Sequence, residues 1–315
     1  MSDHTVVVLA GGLSHERDVS LRSGRRLSSA LRDVGLHIEE WDVDATLVGR
    51  LTSSRPDAVV VALHGGTGEN GAVQSVLEML RVPYVGTCSR ACRRAWDKPT
   101  AKDALARAGL STPDWVTLPH ATFRDLGAQA VLDALVARLG LPLILKPDQG
   151  GSALGVHVVR DAAQLPGAMM SCLAYGDTVL AERFVAGVEV AVTVIDEPDG
   201  SRALPAVEID AGSGFYDYAA RYTAGLATFH TPARLTSPAA AAVAELAVAA
   251  HRLLGLRDVS RTDAVITPDG VAHFLEVNVA PGLTETSLLP MAIESDGADL
   301  GTVFARLIEQ AVARG

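Results

Sequence analysis

The segment Phe274-Leu-Glu-Val-Asn-Val-Ala-Pro-Gly-Leu-Thr284 sets a carboxylate, Glu276, and an amide, Asn278, two residues apart. Successive side chains of an extended chain leave on opposite faces, so these two point the same way. Upstream, Arg261-Thr-Asp263 leads into the apolar run Ala264-Val-Ile-Thr267, and the turn Pro268-Asp-Gly270 folds that run back antiparallel to Val271–Asn278. Asp263 then sits across from Glu276 and Asn278. Oxygen donors grouped beside an arginine suit Mg2+ held against phosphates, because that ion takes oxygen ligands and shares its coordination between a few protein groups and substrate. The arrangement reads as a phosphoryl-transfer site. An acid on a half-exposed strand ordinarily faces water, but Glu276 lies among Phe274, Leu275 and Val277 at the end of an apolar strand, where sites are commonly built.

Lysine usage points to a second group. Among the 27 basic residues, Lys98, Lys102 and Lys146 are the only lysines. Lys146 lies in Leu143-Ile-Leu-Lys-Pro147, just before the loop Asp148-Gln-Gly-Gly-Ser-Ala-Leu-Gly155. An ammonium within such a strand is costly to bury without an anion, and the glycines allow backbone N–H groups to close over one. The loop joins two apolar strands as a hairpin flap able to cradle a triphosphate. It is not a Walker A loop, since its lysine precedes the glycines and no G-K-[ST] follows. Nor does Ala10-Gly-Gly-Leu-Ser-His15 form the G-x-G-x-x-G of dinucleotide binding.

The chain as a whole bounds the elements that position these groups. Its 315 residues suit two or three domains, and 48% hydrophobic with 20% charged residues excludes a disordered chain. A formal net charge of -10 argues against a nucleic-acid or anionic-membrane surface and leaves small molecules as partners. The opening apolar run Thr5–Ala10 breaks at Gly11-Gly12, unlike a signal peptide, and no run is long enough for a membrane span, so a cytoplasmic location is expected. Cys88, Cys92 and Cys172 cannot all pair, the first two have no histidine close in sequence to complete a zinc site, and all three are read as reduced thiols.

Periodicity predicts strand 5–10, helix 16–34, strands 36–42 and 57–63 and helix 71–81, the alternation of an open α/β sheet whose loops at Gly11-Gly12 and His64–Gly71 line a cleft. A middle block follows: helices 87–95 and 97–109, strand 114–118, helix 124–139, the Lys146 strand, strand 155–160 and helix 161–174. The last block has strands 178–184, 188–195 and 203–209, a long loop 210–231, helix 237–254, the acidic hairpin and a terminal helix 299–313.

In their order along the chain, Gly11-Gly-Leu-Ser-His-Glu-Arg-Asp-Val-Ser20, Ala62-Leu-His-Gly-Gly-Thr-Gly-Glu-Asn-Gly71, Asp97-Lys98, Lys146-Pro with Gly151-Ser152, Phe215–Tyr222, Arg261-Thr-Asp263 and Glu276-Val-Asn278 through Ser287-Leu288 resemble the D-alanine:D-alanine ligases of the ATP-grasp superfamily. The resemblance spans essentially the whole chain, and so many blocks in one order are specific where any one alone is weak. It implies an N-terminal open α/β domain (1–87) followed by two ATP-grasp subdomains with antiparallel sheets, a central one (88–182) and a metal-binding one (183–315). ATP would lie between the latter two.

Matched residue by residue, the resemblance implies that Lys98 and Lys146 contact the phosphates, Glu182, Arg183, Val185 and Glu189 surround the nucleoside, and Arg221 reaches the nucleotide. Asp263, Glu276 and Asn278 would ligate two Mg2+ ions, or Mn2+ in their place. Glu16 would face the ammonium of a first D-alanine, and His64 its carboxylate. Arg261 and the Gly282 N–H would stabilise the oxyanion. Ser287 and the Leu288 N–H would receive the second carboxylate, with Tyr222, Ser152 and Glu16 orienting the second amine. Taken alone, Glu16 is a first-turn helix acid and His64 a loop histidine. The chain departs from the family pattern at Arg221 and Arg183, where lysine is usual, at Ala153 for serine and at Asn70 for aspartate. The implied activity is ATP-dependent ligation of two D-alanines through an acyl phosphate for peptidoglycan precursors, by a homodimer. The alternative is a related ligase with D-serine, D-lactate or another acceptor.

Overall fold

The computed structural model describes residues 5–212 and 227–315. Strand β1 (Thr5–Ala10) is apolar and buried almost throughout, as a central strand of a parallel sheet must be. Helix α1 (Arg17–Asp33) leads to β2 (His37–Asp42), followed by α2 (Leu47–Ser54), β3 (Ala58–Val61), α3 (Ala72–Leu80) and β4 (Tyr84–Val85). The strands lie in the order β2-β1-β3-β4, all parallel. The chain turns to opposite sides after β1 and β3, which opens a crevice at their carboxyl ends. The loops at Gly11–Ser14 and His64–Asn70 border it. Helices α4 (Ser89–Trp96) and α5 (Lys98–Arg107) follow.

The second sheet is built from β5 (Trp115–Pro119), β6 (Leu143–Pro147), β7 (His157–Val159) and β8 (Thr178–Arg183), ordered β5-β8-β6-β7 with every pairing antiparallel. Helices α6 (His120–Leu126), α7 (Ala128–Leu139) and α8 (Leu165–Leu173) accompany it. The single helix expected over 124–139 is two, because the chain breaks at Gly127, which takes a left-handed φ of 87°. Alternation sorts the faces of β6: Leu143 and Leu145 pack under α7 and α8, while Ile144 and Lys146 turn to the opposite side.

The third sheet contains β9 (Val188–Glu197), β10 (Gly200–Ala203), β11 (Val207–Asp210), β12 (Thr228–His230), β13 (Val259–Ile266) and β14 (Ala272–Asn278). Its order is β12-β11-β9-β13-β14, with β10 also on β9, and it too is antiparallel throughout. The strand expected over 203–209 is thus two short ones, interrupted around Pro205, which has no N–H to give a ladder. Helix α9 (Ser237–Leu254) matches its expected bounds, opened by Thr236 as N-cap and closed by Gly255. Then come α10 (Leu288–Ser295), absent from the sequence expectation, and α11 (Leu300–Arg314).

Packing does not follow chain order. Helices α4 and α5 share a core with α9 and with β9, β13 and β14 of the third sheet. Another core joins Val6, Val8, Leu27 and Leu31 of the first unit to Ile195, Leu289, Phe304 and Leu307 of the last. No helix among the described residues is long and apolar enough to cross a membrane. Arg221, Tyr222 and the rest of Phe215–Tyr222 lie outside the described residues.

Candidate active site

The expected acidic hairpin forms. Asp263 pairs with Glu276 and Arg261 with Asn278 across β13 and β14. A feature the spacing did not announce is a bulge: the register slips between Asp263 and Ala264, leaving Leu275 extra. Phe274 stays in the core while Leu275 and Glu276 both reach the cleft, so the bulge re-aims the carboxylate. Arg261 Nε and Nη2 grip Asp263 at 2.7 and 2.9 Å, Lys98 Nζ lies 3.7 Å from Glu276, and Asn278 Oδ1 accepts the Ala280 N–H at 2.8 Å. Two carboxylates and an amide oxygen flanked by cations form a donor set that fits Mg2+.

Two clefts meet at this hairpin. The larger, about 1600 Å³ including its open mouth, lies between the second and third sheets and is lined by Lys146, Glu182, Arg183, Val185, Glu189, Asp263 and Glu276. The smaller, about 950 Å³ with its mouth likewise included, is bordered by Glu16, His64, Ser152, Arg261, Asn278, Gly282, Ser287 and Leu288. Lys98, Gly150, Gly151 and Glu276 line both. A group bound in one can therefore reach a group bound in the other beside a lysine and a carboxylate.

At the inner end of the larger cleft, Glu182 is clasped by Lys146 at 2.7 Å and by Lys102 at 2.6 Å. Burial opposes the charge on Lys146, but Glu182 and Glu276 outweigh it and hold its pKa above the ordinary lysine value. Burial lowers the Lys98 pKa, with Glu276 resisting. Lys98 Nζ also donates to Gly150 O at 2.7 Å, which fixes the glycine loop over the site. In that loop Ser152 and Ala153 take left-handed φ of 51° and 54°, a conformation side chains rarely adopt and one that clusters at functional positions. Ser152 Oγ donates to Glu16 Oε1 and so carries the second sheet's loop onto the first unit. Gly65 faces the same carboxylate: its φ is 67°, and a Cβ there would collide with Glu16 Oε2.

His64 is almost wholly buried, and both ring nitrogens are engaged within the protein. Nδ1 lies 3.0 Å from Ala280 O, a pure acceptor, so Nδ1 carries the proton and Nε2 accepts from Ser23 Oγ at 2.7 Å. Burial, with Arg261 nearby, holds its pKa down to about 4, so it is neutral. Ser23 Oγ in turn accepts the Leu283 N–H at 3.1 Å. Both flanks of the Gly282 turn are thereby tied to the first unit. Gly282 is needed for close approach, since a Cβ would stand 2.7 Å from Ser287 Oγ. Ser287 precedes α10, whose first residue is Leu288, so the unforeseen helix aims its N-terminus into the smaller cleft, where a carboxylate is favoured. Glu69, unassigned from sequence although it stands in the His64–Gly71 loop, also lines this cleft; burial and nearby Glu16 raise its pKa well above the carboxylate range. Ser23 and Lys102 likewise carried no sequence signal that would reveal their partners.

Antiparallel sheets closing over a nucleotide-sized cleft, with a hairpin of oxygen donors where it meets a second cleft, define an ATP-grasp ligase. Residues 104–309 match the family model for the D-ala D-ala ligase C-terminus and residues 45–87 that for the D-ala D-ala ligase N-terminus. A D-alanine–D-alanine ligase of Anaeromyxobacter sp. (strain K) is 40% identical over 305 residues, 97% of this chain and 94% of its own length. That of Moorella thermoacetica is 36% identical over 307 residues, covering 98% and 99%. Among solved structures, the VanG D-Ala:D-Ser ligase from Enterococcus faecalis aligns with a TM-score of 0.84 at 26% identity, over 98% of this chain and 100% of its own. The Bacillus anthracis D-alanine–D-alanine ligase complexed with ATP aligns at 0.82 and 26%, over 99% and 98%. The chain belongs to the D-alanine–D-alanine ligase family.

Proposed function

We propose that the protein joins two molecules of D-alanine to D-alanyl-D-alanine for peptidoglycan precursors, at the expense of ATP. The observation that carries this reading is the meeting of the two clefts at Lys98, Gly150, Gly151 and Glu276. ATP would occupy the larger cleft, its base near Glu182, Arg183, Val185 and Glu189 and its phosphates toward Lys146 and Lys98. Arg221 would join them from the segment 213–226. Asp263, Glu276 and Asn278 would hold two Mg2+ ions, which neutralise phosphate charge when bound.

The first D-alanine lies in the smaller cleft with its ammonium toward Glu16, and one of its carboxylate oxygens attacks the γ-phosphorus, releasing ADP and leaving D-alanyl phosphate. His64 does its part by holding the Gly282 turn in place, since both its nitrogens are committed to protein partners. The second D-alanine sets its carboxylate at Ser287 and the Leu288 N–H. Its amine, freed of a proton along the set Tyr222, Ser152 and Glu16, attacks the acyl carbon. Arg261 and the Gly282 N–H stabilise the oxyanion, and phosphate leaves as the peptide bond forms. We further propose the domain division 1–87, 88–182 and 183–315 along the chain, with α4 and α5 of the middle segment packed into the core of the last, a cytoplasmic homodimer, and small molecules as its other partners.

The deciding experiment is an acceptor panel of D-alanine, D-serine and D-lactate at fixed ATP and donor D-alanine, with phosphate release measured and products identified by mass. D-alanyl-D-alanine as the dominant product is expected. Dominant D-alanyl-D-serine or D-alanyl-D-lactate would assign a different acceptor, and no phosphate release with any acceptor would overturn the ligase reading.

A further inference from the structure

Two of the chain's three lysines, Lys98 and Lys146, open onto the clefts; Lys102 lines neither and is wholly buried. An ammonium in that position is expensive, and burial lowers its pKa to about 8. A buried lysine doing nothing but packing would be better replaced by an apolar side chain of similar volume. Its surroundings are specific. Nζ stands 2.6 Å from Glu182 Oε1, 5.2 Å over the Trp115 ring, and donates to Thr112 Oγ1. Thr112 Oγ1 passes the bond on to Phe274 O at 2.8 Å, two residues before Glu276. Helix α5, the second sheet and β14 are joined through this one side chain.

The consequence falls on Lys146. The other oxygen of Glu182 lies 2.7 Å from Lys146 Nζ, within a few per cent exposure on either side. A buried carboxylate facing Lys146 alone would cancel its charge and hold its ammonium away from any phosphate. Shared between two ammoniums, the same carboxylate leaves the trio with one net positive charge at the inner end of the larger cleft.

We propose that Lys102 is a positioning residue for nucleotide binding: by taking one oxygen of Glu182 it orients that carboxylate and leaves Lys146 a positive charge to place on a polyphosphate. The proposal rests on the reading of the larger cleft as the ATP site. Lys102 does not touch the nucleotide; it acts through Glu182 and Lys146.

The test is a set of ATP dissociation constants, measured by calorimetry on the whole chain with Mg2+ present, alongside melting temperatures. Lys102→Met should weaken ATP about tenfold, which is about 1.4 kcal/mol, while leaving the KM for D-alanine within about twofold. The discriminating variant is Lys102→Met combined with Glu182→Gln. With the carboxylate through which Lys102 acts made neutral, this double variant should bind ATP within about threefold of Glu182→Gln alone, whatever that single change does to the site. A lysine with a merely structural role would lower the melting temperature of Lys102→Met and leave its ATP affinity unchanged, which overturns the proposal. A double variant that binds ATP tenfold more weakly than Glu182→Gln alone overturns it as well, and this outcome is readable even if Lys102→Met alone does not fold. Failure of the unaltered protein to bind ATP would instead sink the reading of the cleft itself.

Discussion

Around the Gly282 turn the smaller cleft is held mostly by hydrogen bonds among neutral groups: His64 to Ala280 O, Ser23 to His64, Leu283 N–H to Ser23, and Thr284 N–H to Ser287 Oγ at 3.0 Å, with one charged donor, Arg26, on Thr284 O at 2.5 Å. The wall of the larger cleft is held by ion pairs: Lys102 and Lys146 on Glu182, Arg261 on Asp263, Lys98 near Glu276, and Arg234 on Glu208 at 2.5 Å. The difference suits the tasks proposed for the two sides. Neutral bonds set donor positions without depending on charge, which is what an oxyanion site needs. Paired charges instead form a field that an entering polyanion with its cations can reorganise, and they lose strength with salt where solvent reaches them. The attachment of the units differs in the same sense. The first unit is bolted to the last where Asp258, wholly buried, takes the Gly86 N–H at 2.7 Å, while its ion-pair partner in the last unit, Arg314 at 2.7 and 2.8 Å, donates to Tyr84 O at 3.3 Å. The second sheet's glycine loop reaches the first unit through the Ser152 to Glu16 bond described above.

The largest effect should come where the clefts meet. Glu276→Gln preserves size and removes a charge, and turnover should fall on the order of a thousandfold with the melting temperature almost unmoved. Phosphate release near the normal rate would refute the metal assignment.

Breaking the bolt between the first and last units tests the other side of the contrast. Asp258→Asn strands Arg314 at that interface and should cost about 3 kcal/mol in urea unfolding. The KM for ATP of the folded fraction should stay put; a rise in that KM as large as the stability loss would mean the two halves are not mechanically separate.

A neutral network also makes a pH statement. His64 keeps a pKa of about 4 when folded, below its ordinary value, so between the two the unfolded chain binds a proton that the folded protein refuses. Stability is full above the unfolded value and is lost as pH falls. Between pH 7 and 5 the loss is about 2 kcal/mol. His64→Gln should show an acid dependence smaller by that amount in urea titrations; parallel curves would mean the imidazole is charged in the fold.

Ser152→Ala should have the smallest effect, roughly tenfold in kcat, because the hydroxyl orients a proton path and does not carry the transferred group. Steady-state kinetics indistinguishable from the unaltered protein for both D-alanines would reduce Ser152 to a loop residue.

What could be read along the chain was local. The hairpin of β13 and β14 was legible from a period of two and a short turn at Pro268-Asp-Gly270, but a regular ladder from that turn would set Asp263 against Leu275, and only the bulge brings Glu276 opposite it. The glycine flap between β6 and β7 and the bounds of α9 were legible for the same reason: turn residues, caps and alternation act over a few positions. The family motifs extended that legibility to site residues far apart in sequence. Helix α10 escaped because Pro290 falls in its first turn, where proline is tolerated yet reads in sequence as a break. Tertiary structure alone decided the rest. No pattern near Ser23 says that it meets His64 and Leu283, none near Lys102 says that it clasps Glu182, and nothing places α4 and α5 in the core of the third sheet. Those contacts join residues tens to hundreds of positions apart, and which partner a buried polar group finds is settled by the packing of whole sheets and helices, which supplies the burial that makes each partner necessary.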